Sequence, residues 1–411
     1  MRGSTTVILG GGVGGIVAAN ELRRRLPAGH RVVLVEKNAQ HAFPPSFVWV
    51  VTGTRRAAQI MRPLRSLVHP GVQIVRAEAR SLDLEGQRVA ADGVSLAYDY
   101  LIVALGAELN SDLIPGLSEA AHTFYSLSGA LRLRETLEAF SGGRVVVVVT
   151  RSPYKCPGAP HEAAMLLHEY FRRRGLRDKV DLHIFTPEPQ PMPDAGPILG
   201  QALRALLEDR NIGFHPLHKL VAVNPKTREL VFEGLPPVRY DLAVVVPPHC
   251  GPRLTQENGL ADATGWVPVD PATLATPHER VFAIGDVTVL PTPGRWQPGV
   301  PLFLPKGGVF AHGQGQVVAR RIAAEITGEV PRHVFRGKGF CVVDAGQQRA
   351  VAATADFFGV PAPKIRLHRT ARVWHCGKVL FEQWWLTPLG LRRETLRLML
   401  SLGCGRLGLE M

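Results

Sequence analysis

Apolar residues fall in short runs separated by longer stretches of mixed polarity, and the same alternation occurs twice. Thr6–Leu9 is followed by glycines and an amphipathic stretch, and HRVVLVE then brings a second apolar run that ends on Glu36. Short continuous apolar runs bounded by turn residues predict strands buried on both faces, and the stretch between them predicts the crossover helix. The pattern restarts at Arg144 with VVVVVT. A helix over about Ala159–Arg174, the run VDLHIFT, a helix near Leu199–Asp209 and hairpin-like runs follow, up to YDLAVVVPP at Tyr240–Pro248. Two more runs, YDYLIVALG (Tyr98–Gly106) and RVFAIGDV (Arg280–Val287), finish on glycine or on Gly285 and Asp286. Two βαβ series in one chain predict an α/β protein with two parallel sheets.

Composition adds bounds. The 411 residues, 45% apolar and 20% charged, suffice for two or three domains with a sizeable core. No apolar run is long enough to span a bilayer, and Met1 leads straight into the first strand, so a cytoplasmic protein is expected. Five widely spaced cysteines form no CxxC pair, which predicts neither a secreted disulfide framework nor a metal site. The 48 basic against 35 acidic residues give +13 and favour anionic partners. The runs Arg23–Arg25 and Arg172–Arg174 fall in the last turns of predicted helices, where cations complement the helix dipole, and no aromatic residues interleave with them. Nucleic acid is therefore not an expected partner.

The first turn carries recognisable chemistry. TVILGGGVGG places Gly10, Gly12 and Gly15 in a GxGxxG pattern between strand and helix, with an acid, Glu36, at the second strand's tip. The first glycine makes the tight turn, the second lets backbone approach a pyrophosphate, the third lets helix and strand pack, and the acid accepts from a ribose. The second turn, TRSPYKCPGAPHE, keeps only Gly158; Pro153, Pro157 and Pro160 remove N–H donors that a phosphate would need. Cys156 stands there instead. Lys155 and the following helix N-terminus would lower its pKa, and Glu162 and His161 in the first helical turn are candidate proton carriers.

YDYLIVALG, closed by Gly106, and RVFAIGDV resemble strands of the pyridine nucleotide-disulfide oxidoreductase superfamily, in which the aspartate matched by Asp286, after Gly285, binds the ribityl chain of FAD. YKCPGAPHE and GKGFCVVDAG, the latter carrying Cys341, are similar to the redox-cysteine motifs of sulfide:quinone oxidoreductases and of the flavin subunit of flavocytochrome c sulfide dehydrogenase. LPKGGVFAHGQGQ resembles that family's flavin-ring segment and contains Lys306. The resemblance implies two Rossmann-like dinucleotide-binding domains of the glutathione reductase-like kind, with a C-terminal segment. FAD would occupy 1–115 with 266–330, residues 116–265 would form the cysteine-bearing second domain, and 331–411 would bring the other cysteine and a membrane and quinone contact. It also implies catalysis by Cys156, Cys341, Glu162, Lys155 and His161, with sulfide oxidised and electrons passed through FAD to membrane quinone.

Departures from the family pattern matter too. HTFYSLSGA (His122–Ala130) lacks a third cysteine that many members carry, and EKNAQHAFPPSFVWV lacks the one that attaches FAD covalently, so FAD bound non-covalently is expected. Cys250, Cys376 and Cys404 are expected to be structural. A cytochrome-reducing flavin subunit, an NADH:quinone reductase and a flavin redox sensor remain open as alternatives. In Val379–Leu402, Trp384 and Trp385 precede a helix with Leu391, Leu396, Leu398, Met399 and Leu402 on one side and Arg392, Arg393, Glu394 and Arg397 on the other. That composition suits an interfacial anchor on the inner face of a membrane, and equally a helix packed on its own core or in a homo-oligomer. Phe340, Phe357, Phe358 and the two tryptophans are candidate apolar lining for a quinone site.

Overall fold

A computed structural model describes residues 3–405, the side chain of Cys404 excepted. The strands of its two parallel sheets are, in chain order, β1 (Thr5–Leu9), β2 (Arg31–Val35), β3 (Gln73–Val75), β4 (Tyr100–Val103), β5 (Gly143–Val149), β6 (Val180–Phe185), β7 (Gly213–His215), β8 (Leu242–Val246) and β9 (Val281–Ala283). The first sheet has the order β9-β4-β1-β2-β3 and the second β7-β6-β5-β8. β9 thus follows the whole second sheet in sequence and returns to the first. Val145–Val149 are fully buried, as a parallel strand covered on both faces requires.

Five helices position the site: α1 (Val13–Arg25), α2 (Ala159–Arg173), α3 (Gly308–Thr327), α4 (Arg372–Leu386) and α5 (Leu391–Gly405). α1 and α3 cross at glycine, where a Cβ on Gly315 would lie 2.7 Å from the Gly14 carbonyl oxygen. The helix expected near Leu199–Asp209 runs over Gly196–Glu208, because Pro197 is tolerated in a first turn whose N–H groups have no intrahelical partner. The helix expected after Trp384 and Trp385 is α5; the tryptophans themselves end a separate helix, α4, and Pro388 and Gly390 lie in the break between the two.

A third, antiparallel sheet of β10 (Lys338–Asp344), β11 (Ala350–Asp356) and β12 (Lys364–Ala371) leads into α4. α4 is tied to the segment between β2 and β3 by buried polar contacts. Its Glu382 accepts from Ser46 Oγ at 2.6 Å and pairs with Arg55 at 2.9 Å, and Trp385 Nε1 donates to His41 Nε2 at 2.8 Å. Trp384 and Trp385 are buried, so they are core and do not sit at the surface as an interfacial anchor would require. α5 differs: Leu391, Leu398, Met399 and Leu402 on it are exposed. Among the described residues, no helix is long and apolar enough to cross a membrane.

Candidate functional site

One cavity of about 1690 Å³ runs from the first glycine turn to α4 and α5. It exceeds the roughly 300–1,000 Å³ of an ordinary small-molecule pocket, enough for a dinucleotide and a second ligand. Gly10, Gly12, Glu36, Gly106, Gly285, Asp286 and Lys306 line it, together with Lys155, Cys156, Glu162 and Cys341. Gly15 acts in packing: a Cβ there would lie 1.9 Å from the Gly10 carbonyl oxygen.

The glycine end fits FAD on features of the protein itself. Gly10 has φ +101°, a left-handed turn that favours glycine, while a Cβ on Gly12 would meet nothing within 4 Å, leaving its space to a ligand. Glu36 accepts from Gly11 N at 2.7 Å and Asn38 N at 2.8 Å, which orients the carboxylate and leaves lone pairs for a ribose. Asp286 Oδ1 is buried without a hydrogen-bond partner, a costly state that a ribityl hydroxyl would relieve. Lys306 Nζ donates to the carbonyls of Asp286 and Thr288 at 2.8 and 2.7 Å and lies 3.5 Å from the centre of the Trp266 ring. Burial lowers its pKa to about 7.

The second turn is occupied differently. Cys156 has φ +53°, and its N–H donates to the Lys306 carbonyl at 2.8 Å, tying the cysteine loop to the segment expected to hold the flavin ring. A Cβ on Gly158 would meet Val343 Cγ2 at 2.8 Å, Cys341 Sγ at 3.4 Å and Met192 Sδ at 3.5 Å, so protein fills the end of α2. The second series has its own acid past β6, Glu188. It accepts from Ser152 Oγ and Tyr154 Oη, both at 3.0 Å, so the loop that carries Cys156 occupies it. Burial raises Glu188 to about 7.

Cys156 and Cys341, from distant segments of the chain, line the same cavity and are both free thiols. Cys156 is open to the cavity, yet the protein packed around it, reinforced by the Glu162 charge, pushes its thiol up to about 11, while Lys378 and the Ala159 N–H pull it down. Burial and Cys156 push Cys341 higher still. The expected role of Lys155 needs correction. Its own pKa is lowered by burial, Asp286 is the charge that acts on it, and the cation acting on Cys156 is Lys378 of α4. Glu162 is buried; Lys378 Nζ donates to its Oε1 and Asp344 N to its Oε2 at 3.2 Å. Burial and Asp344 raise its pKa against the pull of Lys378, and Lys378 is itself raised by Glu162 and Asp344 despite burial.

His161 is placed elsewhere. It is buried and does not line the cavity, its ring lies 6.1 Å from that of Phe214, neither nitrogen has a partner, and burial lowers it to about 4. Phe340, Phe357 and Trp385 line the cavity, but Phe358 and Trp384 do not: Phe358 packs on Phe335 and Trp384 on Phe381. Cys250 is half-buried beside Arg151, Cys376 is exposed, and the side chain of Cys404 lies outside the described residues. Reasoning from sequence missed Lys378, Asp344 and His375. A signal existed: His375, Lys378 and Glu382 repeat at helical spacing on one stripe of a largely apolar segment.

Residues 4–302 match the pyridine nucleotide-disulphide oxidoreductase family. The mitochondrial sulfide:quinone oxidoreductase of Mus musculus is 28% identical over 86% of this chain and 78% of its own. The sulfide-quinone reductase of Aquifex aeolicus is 26% identical over 92% and 90%. The X-ray structure of the sulfide:quinone oxidoreductase from that bacterium superposes with a TM-score of 0.83 at 25% identity, covering 93% of this chain and 90% of that one.

Proposed function

The chain belongs to the pyridine nucleotide-disulphide oxidoreductase family, among its sulfide:quinone oxidoreductases, and from that premise we propose that it oxidises sulfide through Cys156 and Cys341. It is a flavoprotein oxidoreductase. The observation that carries the reading is the meeting of two free cysteines from distant segments in the cavity that the glycine cradle lines. FAD, held non-covalently by Gly10, Gly12, Glu36, Gly106, Gly285, Asp286 and Lys306, supplies a two-electron acceptor when bound.

The protein's own part begins with a Cys156–Cys341 disulfide. Hydrosulfide sulfur forms a bond to one cysteine sulfur, the S–S bond breaks, and the other cysteine leaves as a thiolate. Lys378 stabilises the negative sulfur, and Glu162 accepts the S–H proton of the persulfide. The loop bond from Cys156 N to the Lys306 carbonyl holds the sulfur beside the flavin segment.

Quinone is the acceptor in this reading. Phe340, Phe381, Trp385, Met399 and Leu400 give the far end of the cavity an apolar lining, and α5 exposes Leu398, Met399 and Leu402 beside it for peripheral contact with a membrane. That surface favours quinone over a cytochrome. The filled second turn speaks against NADH as donor. The test is anaerobic: sulfide should bleach the flavin absorbance and a soluble quinone restore it, whereas NADH should do neither. Rapid bleaching by NADH would overturn the reading.

A further inference from the structure

Four ionisable groups form a continuous line from the cysteines toward the surface. Glu162 of α2 bonds Lys378 of α4, and its other oxygen accepts from the Asp344 backbone. Lys378 Nζ lies 3.6 Å from Asp344 Oδ2, and His375 Nδ1 lies 2.8 Å from Asp344 Oδ1. Trp49 Nε1 donates to Asp344 Oδ2 at 2.8 Å, and the Trp49 ring walls the line, with its centre 5.9 Å from that of His375. The His375 end is the most open: its side chain is 21% exposed, against 7% for Glu162, 12% for Lys378 and 1% for Asp344. Arg55, over the Trp49 ring, is neutralised by Glu382 and adds no free charge to the line.

The charge count determines what this line can do. Two carboxylates against one lysine leave one negative charge among largely buried side chains, where an uncompensated charge is costly. One further proton cancels it, and two seats exist: Glu162, beside Cys156 and Cys341, and His375, beside solvent. Asp344 is the fixed anion between them. Its pKa is held low by Lys378 and by the bonds from His375 and Trp49, against the effect of burial.

We propose that Glu162 and His375 share one labile proton through Lys378 and Asp344, which makes His375 the outlet for protons released at the cysteines. This rests on the sulfide reading above. The step balances: the persulfide S–H bond breaks, an O–H bond forms on Glu162, and the compensating proton leaves the His375 imidazolium for water. No oxidant is required. The proton moves out as negative sulfur accumulates inside, so the net charge of the line stays constant. His375 touches no substrate and is a positioning residue for the proton.

The experiment compares wild type, His375→Gln and His375→Ala. Wild-type bleaching by sulfide tests the underlying reading by itself. Given that, His375→Gln should retain its FAD but bleach about tenfold more slowly, and imidazole should restore the rate of His375→Ala. A second readout needs no sulfide: the Glu162 carboxyl band in infrared spectra, assigned by its loss in Glu162→Gln, should persist about one pH unit higher in His375→Gln, because the compensating proton then has a single seat. An unchanged Glu162 carboxyl midpoint, or slow bleaching that imidazole does not restore, overturns the proposal while leaving sulfide oxidation standing.

Discussion

The two strand–turn–helix units that open β1–α1 and β5–α2 share a topology and differ in what fills the turn. At the first, Gly12 faces open space and Glu36 remains accessible in the cavity. At the second, Gly158 abuts Val343 and the sulfur of Cys341, and Glu188 is engaged by Ser152 and Tyr154 of its own loop. A helix N-terminus with free N–H groups and room in front of it suits an anion. With the room filled by a neighbouring strand, the same scaffold becomes a rigid mount for a thiol. A βαβ unit therefore fixes where chemistry happens, and the turn residues decide which chemistry.

The comparison can be broken most severely at the sulfurs. Cys156→Ser or Cys341→Ser should slow sulfide-driven bleaching on the order of 10³-fold or more while leaving FAD bound, since serine cannot carry a persulfide. Retained activity in either variant would show that the second turn is not a sulfur mount. Next in size is Gly12→Ala. Its Cβ meets no protein atom, so the fold should tolerate it, while FAD affinity falls by about ten- to a hundredfold in an equilibrium titration, because the pyrophosphate loses its close approach. Gly158→Ala should do the reverse, costing about 1–3 kcal/mol of stability in denaturant unfolding by overpacking against Val343, with FAD affinity unchanged.

A pH experiment sharpens the contrast between the two acids. Glu188 is raised to about 7 in the fold from an ordinary value of 4.5, so its contribution is fully present below about pH 4.5 and is lost as pH rises through 7. Glu188→Gln, which keeps an acceptor and removes the charge, should match wild type near pH 4 and exceed it by about 1–3 kcal/mol at pH 8. The smallest effect on the fold is expected from truncation after Pro388. Removing α5 should abolish liposome binding and leave flavin content intact, whereas truncation after Val379 also removes buried Trp384 and Trp385 and should cost several times more, about 3–5 kcal/mol per tryptophan.

Much of the architecture was legible because it rests on local chemistry. Gly10, Gly12, Gly15 and Glu36 announce a dinucleotide turn through spacing, and the valine run of β5 announces a strand buried on both faces. Residue type also told the second turn from the first: prolines and Cys156 stand where glycines would be. Charge partners were harder to find. Lys155 is adjacent to Cys156 in sequence and looked like its cation, yet Lys378, more than two hundred positions away, acts on the thiol. His161 and Glu162 are neighbours on a helix and so point in different directions, one into Phe214 and one into the cavity.

The sequence by itself determined the two βαβ series and the contrast between the glycine turn and the proline- and cysteine-bearing turn, since each depends on residues close together in the chain. Only the tertiary structure decided that Cys341 of β10 meets the N-terminal end of α2, that the paired tryptophans of α4 are core while α5 is exposed, and that Glu162, Lys378, Asp344 and His375 form one line. The reason is physical: turn geometry and strand burial are set over a few residues, whereas desolvation and ion pairing depend on which distant surfaces are pressed together and how much water they exclude.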